Sequence, residues 1–148
     1  MLDNSRKHIY DYLYDLFKGK PTNNVYDRQE PQELTKSDLK DGFIVTSVGG
    51  IYDASEFSGQ AYGQVRCYVE AFIPPRSRGR LDSDKYEAFE TALTDVINEA
   101  IANDDSTKKY HILDGSLLSS DTDSAVLGDN LFFTFIKTFI LHIDVQDE

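Results

Sequence analysis

The chain has 148 residues, 40% of them hydrophobic and 28% charged, with nine Phe, nine Tyr and a formal net charge of −11. That size and mixture fit one folded domain, residues 1–148, able to bury roughly two thirds of its unfolded surface without disulfides or metals, and they exclude a disordered chain. The acidity argues against broad binding to nucleic-acid phosphates or anionic membranes, and the single cysteine, Cys67, excludes an intramolecular disulfide and a cysteine-based zinc site.

Ile9, Leu13, Leu16 and Phe17 recur at the i, i+4, i+7, i+8 spacing of one helix face, which predicts a helix over about 4–18 that stops at Gly19 and Pro21. Tyr10 and Tyr14 widen that stripe. Asp11 and Asp15 within the same stretch set it apart from a signal or transit peptide. From Lys20 to Asp41 the chain is polar and turn-rich and reads as a surface connection, with at most a short edge strand around Val25 and Tyr26.

The segment GFIVTSVGG predicts a buried strand over about 43–48, punctuated by Gly49 and Gly50, and IYDASEFSGQ reads as a bent continuation or an exposed hairpin tip. In AYGQVRCYVEAFI, strict alternation puts Val65, Cys67, Val69, Ala71 and Ile73 on one face of a strand and Gln64, Arg66, Tyr68, Glu70 and Phe72 on the other. Pro74 and Pro75 end that strand because neither donates a ladder hydrogen bond.

A second helix is predicted from Asp82 to about Ala102, with Tyr86, Phe89, Leu93, Val96, Ile97 and Ala100 as its stripe. Asp82, Ser83 and Asp84 are its candidate caps, and Asp84 with Glu87 has capping-box spacing. YHILDGSLLSS reads as a strand near 110–118 broken at Asp114-Gly115, and DTDSAVLGDN as a loop. The last strand, Leu131 to about Asp144, is apolar on both faces: Leu131, Phe133, Phe135, Phe139 and Leu141 on one, Phe132, Ile136 and Ile140 on the other. Such a strand needs a second covering layer, from its own helix or another subunit. The expected fold is α+β, an antiparallel sheet of about four strands with two helices packed on one face.

No catalytic motif is present: there is no phosphate-binding glycine loop, dinucleotide fingerprint or nucleophile elbow, and the carboxylates are scattered over helix faces and loops. The expectation is a protein that is not an enzyme and carries no cofactor. Asp121, Asp123 and Asp129 share a loop but lack the central glycine and closing Glu of a calcium site. His8, His111 and His142 lack metal-ligand spacing, although His111 and His142 can face each other across neighbouring strands, so no metal is expected. Cys67 reads as a small core residue.

The best localised feature is FIPPRSRGRLDSD, where Arg76, Arg78 and Arg80 alternate with Ser77 and Gly79, so that an extended chain would project all three to one side. Three readings compete for it: a solvated turn, a contact with an acidic surface of another subunit, and an anion or nucleic-acid contact. Copies of so acidic a chain repel one another unless basic loops meet acidic patches, which favours the second reading over the third.

The order of these elements resembles the tail terminator, or tail completion, proteins of long-tailed bacteriophages. The resemblance rests on the helix from Asn4 to Lys18, the VYD piece with Pro31 after it, the strand FIVTSV before the long alternating YGQVRCYVEAFI, the helix from Asp82, and the closing FFTFIKTFILHI. The segment from Asn103 to Asn130 departs from the family's compact form. The resemblance implies a virion protein assembled in the bacterial host cytoplasm. It forms a homo-oligomeric ring, usually of six subunits, that caps the tail tube and contacts tube and head-completion proteins. It implies no enzymatic activity, no nucleic-acid specificity and no membrane partner, and makes Asp53 to Gln60 and residues 74–81 natural contact loops. The alternative is a small α+β binding or adaptor module that recognises an acidic partner or anionic ligand.

Overall fold

A computed structural model describes residues 2–27, 33–53, 62–102, 110–112, 118–119 and 122–144. In chain order the elements are α1 (Leu2–Phe17), β1 (Val25–Asp27), α2 (Lys36–Asp41), β2 (Phe43–Asp53), β3 (Tyr62–Ile73), a single 3-10 turn (Ser77–Gly79), α3 (Ser83–Ala102), β4 (Tyr110–Ile112), β5 (Leu118–Ser119), β6 (Asp123–Leu127) and β7 (Asn130–Asp144). The α+β class is as expected, but among the described residues the sheet has seven strands rather than four, and there are three helices rather than two. The additional strands are short, between two and five residues each. Segments of that length carry too few alternations to show a period.

Strand order is β1-β2-β3-β7-β4, with β5 and β6 also pairing with β7. β1 runs parallel to β2, and every other pairing is antiparallel. The long ladder between β3 and β7, from Tyr62↔Asp144 to Ile73↔Phe133, has no irregularity. The β2–β3 ladder slips between Val48 and Ile51, so Gly49 and Gly50 mark a bulge inside a strand that continues to Asp53.

The alternation in β3 holds residue by residue: Val65, Cys67, Val69, Ala71 and Ile73 are fully buried on the face that meets the helices. Ile9, Leu13 and Phe17 of α1 and Phe89, Leu93, Val96 and Ile97 of α3 close that core, together with Phe135, Phe139 and Leu141 of β7. Each fully buried large apolar side chain contributes about 1.5–3 kcal/mol relative to exposure. Burial also pushes the Cys67 thiol up to about 12, as expected for an inert core residue.

The stretch read as a surface connection holds more structure than a connection would. Thr35 caps α2 through a capping box: its hydroxyl accepts from the Asp38 N–H, and the Asp38 carboxylate accepts from the Thr35 N–H. Asn24 then ties β1 to this helix through Ser37 Oγ (2.9 Å) and the Gly42 carbonyl (3.2 Å). Gly42 ends α2 at φ 86, with the Phe72 carbonyl 2.7 Å from where a Cβ would stand, so no other residue fits the junction into β2.

Of the three candidate caps of the second helix, Asp82 is the one in use. The carboxylate of Asp82 accepts from the Lys85 N–H at 3.1 Å, so α3 is capped by Asp82 alone and the expected Asp84–Glu87 box is not the cap in use. Likewise DTDSAVLGDN is largely a hairpin: Leu127 pairs with Asn130 across Gly128-Asp129, and Gly128 takes the φ of 63 that a two-residue Gly-X turn needs. The broken strand near 110–118 is two strands, β4 and β5, both laid on β7. Residues 54–60, named as a contact loop, lie outside the described residues, as does Asp121 of the acidic loop.

Candidate functional site

The three arginines do not lie on an extended chain. The Arg76 N–H donates to the Arg80 carbonyl at 2.7 Å, closing a one-pair antiparallel bridge around the Ser77–Gly79 turn. Arg78 at the tip takes φ 64, ψ 26, the left-handed region that costs a non-glycine residue roughly 1–2 kcal/mol. The expected one-sided projection is therefore replaced by a different grouping. Arg76 and Arg80 are directly opposed cross-strand partners, whose Cβ atoms stand on the same side about 5 Å apart, and Arg78 leads. All three are exposed, and none pairs with an acidic group among the described residues. Two like charges opposed across one bridge repel each other, so an incoming carboxylate or phosphate relieves a cost the turn already carries.

The turn folds back beside the first residues of β7, since a Cβ on Gly79 would stand 3.7 Å from Leu131 Cδ2. At the other edge of the sheet, α1 and β1 enclose a concavity of about 150 Å3. Tyr10, Tyr14 and Tyr26 supply its aromatic walls, and Asp11 and Asp27 supply carboxylates. Tyr10 accepts the Val48 N–H at 3.1 Å on its hydroxyl oxygen, and Tyr26 donates to Asp38 at 2.8 Å. Desolvation, with the hydrogen bond and charge of Asp38 added, pushes the Tyr26 phenol up to about 12, so this hydroxyl stays protonated. Lys18 Nζ lies 5.6 Å from the centre of the Tyr14 ring, a cation–π contact. Nothing in the sequence marked this concavity beyond the tyrosines that widen the α1 stripe.

The second sheet face is the third feature. At one end Phe43, Val45, Phe72 and Phe132 form a separate buried cluster, with the Phe43 and Phe72 rings stacked at 4.6 Å and Tyr26, Leu34, Ala125 and Leu127 packed around it. Further along β7, Ile136 and Ile140 are only half-buried on this face, whereas Phe135 and Phe139 on the opposite face are fully buried. The two-faced apolar pattern of β7 is thus met by α1 and α3 on one side and by a partial cover on the other. Lys137, which interrupts the apolar run, is buried on the helix side and reaches Glu90 Oε2 at 3.7 Å, so it belongs to the contact between sheet and α3.

His111 and His142 do face each other across β4 and β7, with ring centres 6.0 Å apart. Among the described residues no group of three His, Cys, Asp or Glu side chains is placed to hold a metal ion, and no helix is long and apolar enough to cross a membrane.

No protein-family model matches this sequence, and no curated protein matches it. Among solved structures, the fold shows a weak likeness to a chain of the virion of a native gene transfer agent (GTA) particle, with 14% sequence identity, 88% of this chain and 84% of that chain covered, and a TM-score of 0.45.

Proposed function

We propose that this chain is a structural subunit of a phage-type particle, a tail-terminator-like protein that forms a ring, caps the tail tube and joins it to the head. The observation that carries the reading is the unequal treatment of β7. One face is sealed by α1 and α3, while Ile136 and Ile140 on the other stay half-buried beyond the Phe43–Phe72–Phe132 cluster. An apolar strip beside an aromatic cluster is the kind of surface that another subunit covers. The resemblance in element order, and the basic turn on a chain of net charge −11, support the same reading, because a head-to-tail ring needs two unlike, complementary surfaces on each copy. In this reading the protein acts by contact and catalyses nothing.

The test is light scattering and electron microscopy of the purified protein, alone and mixed with tail tubes. Rings, free or seated on tube ends, are the expected result. A monomer that never associates with tubes overturns the reading.

The second reading, an adaptor module for an acidic partner or anionic ligand, is favoured by one observation: Arg76, Arg78 and Arg80 are gathered on one bridged turn with no acidic partner among the described residues. It predicts that replacing all three by Ala abolishes partner binding and leaves any self-association intact.

A further inference from the structure

We infer that the concavity between α1 and β1 is a guanidinium receptor that takes Arg78, at the tip of the basic turn, from a second copy of this chain. This deepens the ring reading above and rests on it for the number of copies, not for the contact itself.

The chemistry of the concavity selects a planar cation. Tyr10 and Tyr26 spend their hydroxyls inward, on the Val48 N–H and on Asp38, and the Thr46 hydroxyl donates to the Tyr26 carbonyl at 3.4 Å. What remains is a mixed, largely polar lining, with tyrosine rings beside the Asp11 carboxylate and beside Asp27, which already has an interaction of its own. Aromatic faces beside carboxylates suit arginine better than lysine, because the guanidinium stacks on rings while its fork pairs with a carboxylate.

Size points the same way. At about 150 Å3 the space is smaller than the roughly 300 Å3 at which sites for drug-sized molecules begin, and it suits one side chain.

The arginine must come from another copy. The basic turn follows β3 and lies beside Leu131 of β7, whereas the concavity lies at β1, with β2 between β1 and β3. Even Thr46 of β2, the lining residue nearest β3, stands opposite Val69, so roughly 13 Å of strand runs from there to Ile73 before the turn begins, beyond the reach of a side chain on the same molecule. Receptor and donor are different parts of one chain, so in a ring each copy gives its tip to one neighbour and receives a tip from the other. The bridged turn presents Arg78 foremost with Arg76 and Arg80 behind it, which leaves two cations to meet the acidic rim.

The experiment uses the full chain and two exposed substitutions, Arg78→Asp, which keeps a residue tolerant of the left-handed backbone, and Asp11→Arg. Circular dichroism melts confirm that both fold. Sedimentation velocity, with tail tubes present if association requires them, is expected to show each variant at least about tenfold weaker in self-association than the parent chain, and an equimolar mixture of the two restored. Where copies alternate in such a mixture, the acidic tip of one variant meets the basic rim of the other, and at the next contact an unaltered tip meets an unaltered rim. Independently, a peptide of residues 74–82 is titrated into the chain. Saturable binding, weakened about tenfold by Asp11→Arg, is expected. Rings that survive both substitutions and the absence of peptide binding overturn the inference while leaving the ring reading in place. Free arginine binding as tightly as the peptide also overturns it, since the site then takes a small cation. Peptide binding that depends on Asp11, in a chain that never forms rings, supports the receptor and removes the ring.

Discussion

The Tyr26 hydroxyl lies between the two oxygens of the Asp38 carboxylate, 2.8 Å from Oδ1 and 3.0 Å from Oδ2, and Asp38 is completely buried. A buried carboxylate persists only where donors surround it, and here Tyr26 from β1 and the Thr35 N–H at 2.9 Å do so. Tyr26→Phe should therefore lower stability by about 1.5–3 kcal/mol, read as a shift in the urea midpoint. Asp38→Asn should make the Tyr26 substitution far less costly, because the charge that needed the hydroxyl is gone. Additive losses in that double-mutant cycle would separate the two residues.

Alkaline pH gives a second prediction. The Cys67 thiol rises from an ordinary 9.0 to about 12 and the Tyr26 phenol from 10.0 to about 12 on folding. Both shifts are upward, so between those values the folded chain keeps protons that the unfolded chain releases. Their contribution is complete below pH 9 and drains away as pH rises toward 12. The melting temperature should fall from about pH 9 upward, and Cys67→Ala should flatten the first part of that decline. The thiol should also react with a disulfide reagent only on unfolding.

Helix α3 separates two ways of starting. Because Asp82 holds the Lys85 N–H, Asp82→Ala should cost about 1 kcal/mol by thermal melting. Glu87→Ala should stay within about 0.5 kcal/mol. The reverse ranking would restore the capping box that the spacing of Asp84 and Glu87 suggests.

Adjacent residues of β7 should part company. Phe139 is fully buried beneath the helices, and Phe139→Ala should cost about 3–5 kcal/mol. Its neighbour Ile140, half-buried on the other face, should tolerate Lys within about 1 kcal/mol while losing association with rings or tail tubes. Particle association that survives Ile140→Lys would take this face out of the assembly surface.

Legibility in the sequence followed the length of each pattern. The stripes of α1 and α3 and the alternation of β3 repeat several times, and each apolar position they named, Tyr14 excepted, is buried or half-buried. The short strand around Val25 and Tyr26 was legible, but α2 and its tie to β1 were missed because they depend on three side chains, Asn24, Thr35 and Asp38, each meeting a partner brought near by the fold. The Thr35-x-x-Asp38 spacing was the available signal. β6 was hidden for another reason: Asp123, Ser124 and Val126 are exposed, so its strand exists through pairing with β7 and not through an apolar face of its own. At the candidate site, the clustering of Arg76, Arg78 and Arg80 was legible but their turn was not, since a left-handed Arg is set by the bridge closing around it. The acid-and-tyrosine concavity joins residues from three separate elements, and no single window contains it.

The position of β7 in the sheet also orders events in time. It pairs with β3 on one side and with β4, β5 and β6 on the other, and its 15 residues are translated after all six other strands. On the ribosome β3 therefore keeps one bare edge, and three short strands wait without a template, until Asp144 has emerged. The strip formed by Ile136 and Ile140 comes into being in that same last step. A chain that ends before β7 lacks this strip altogether, and β3 then keeps a bare edge.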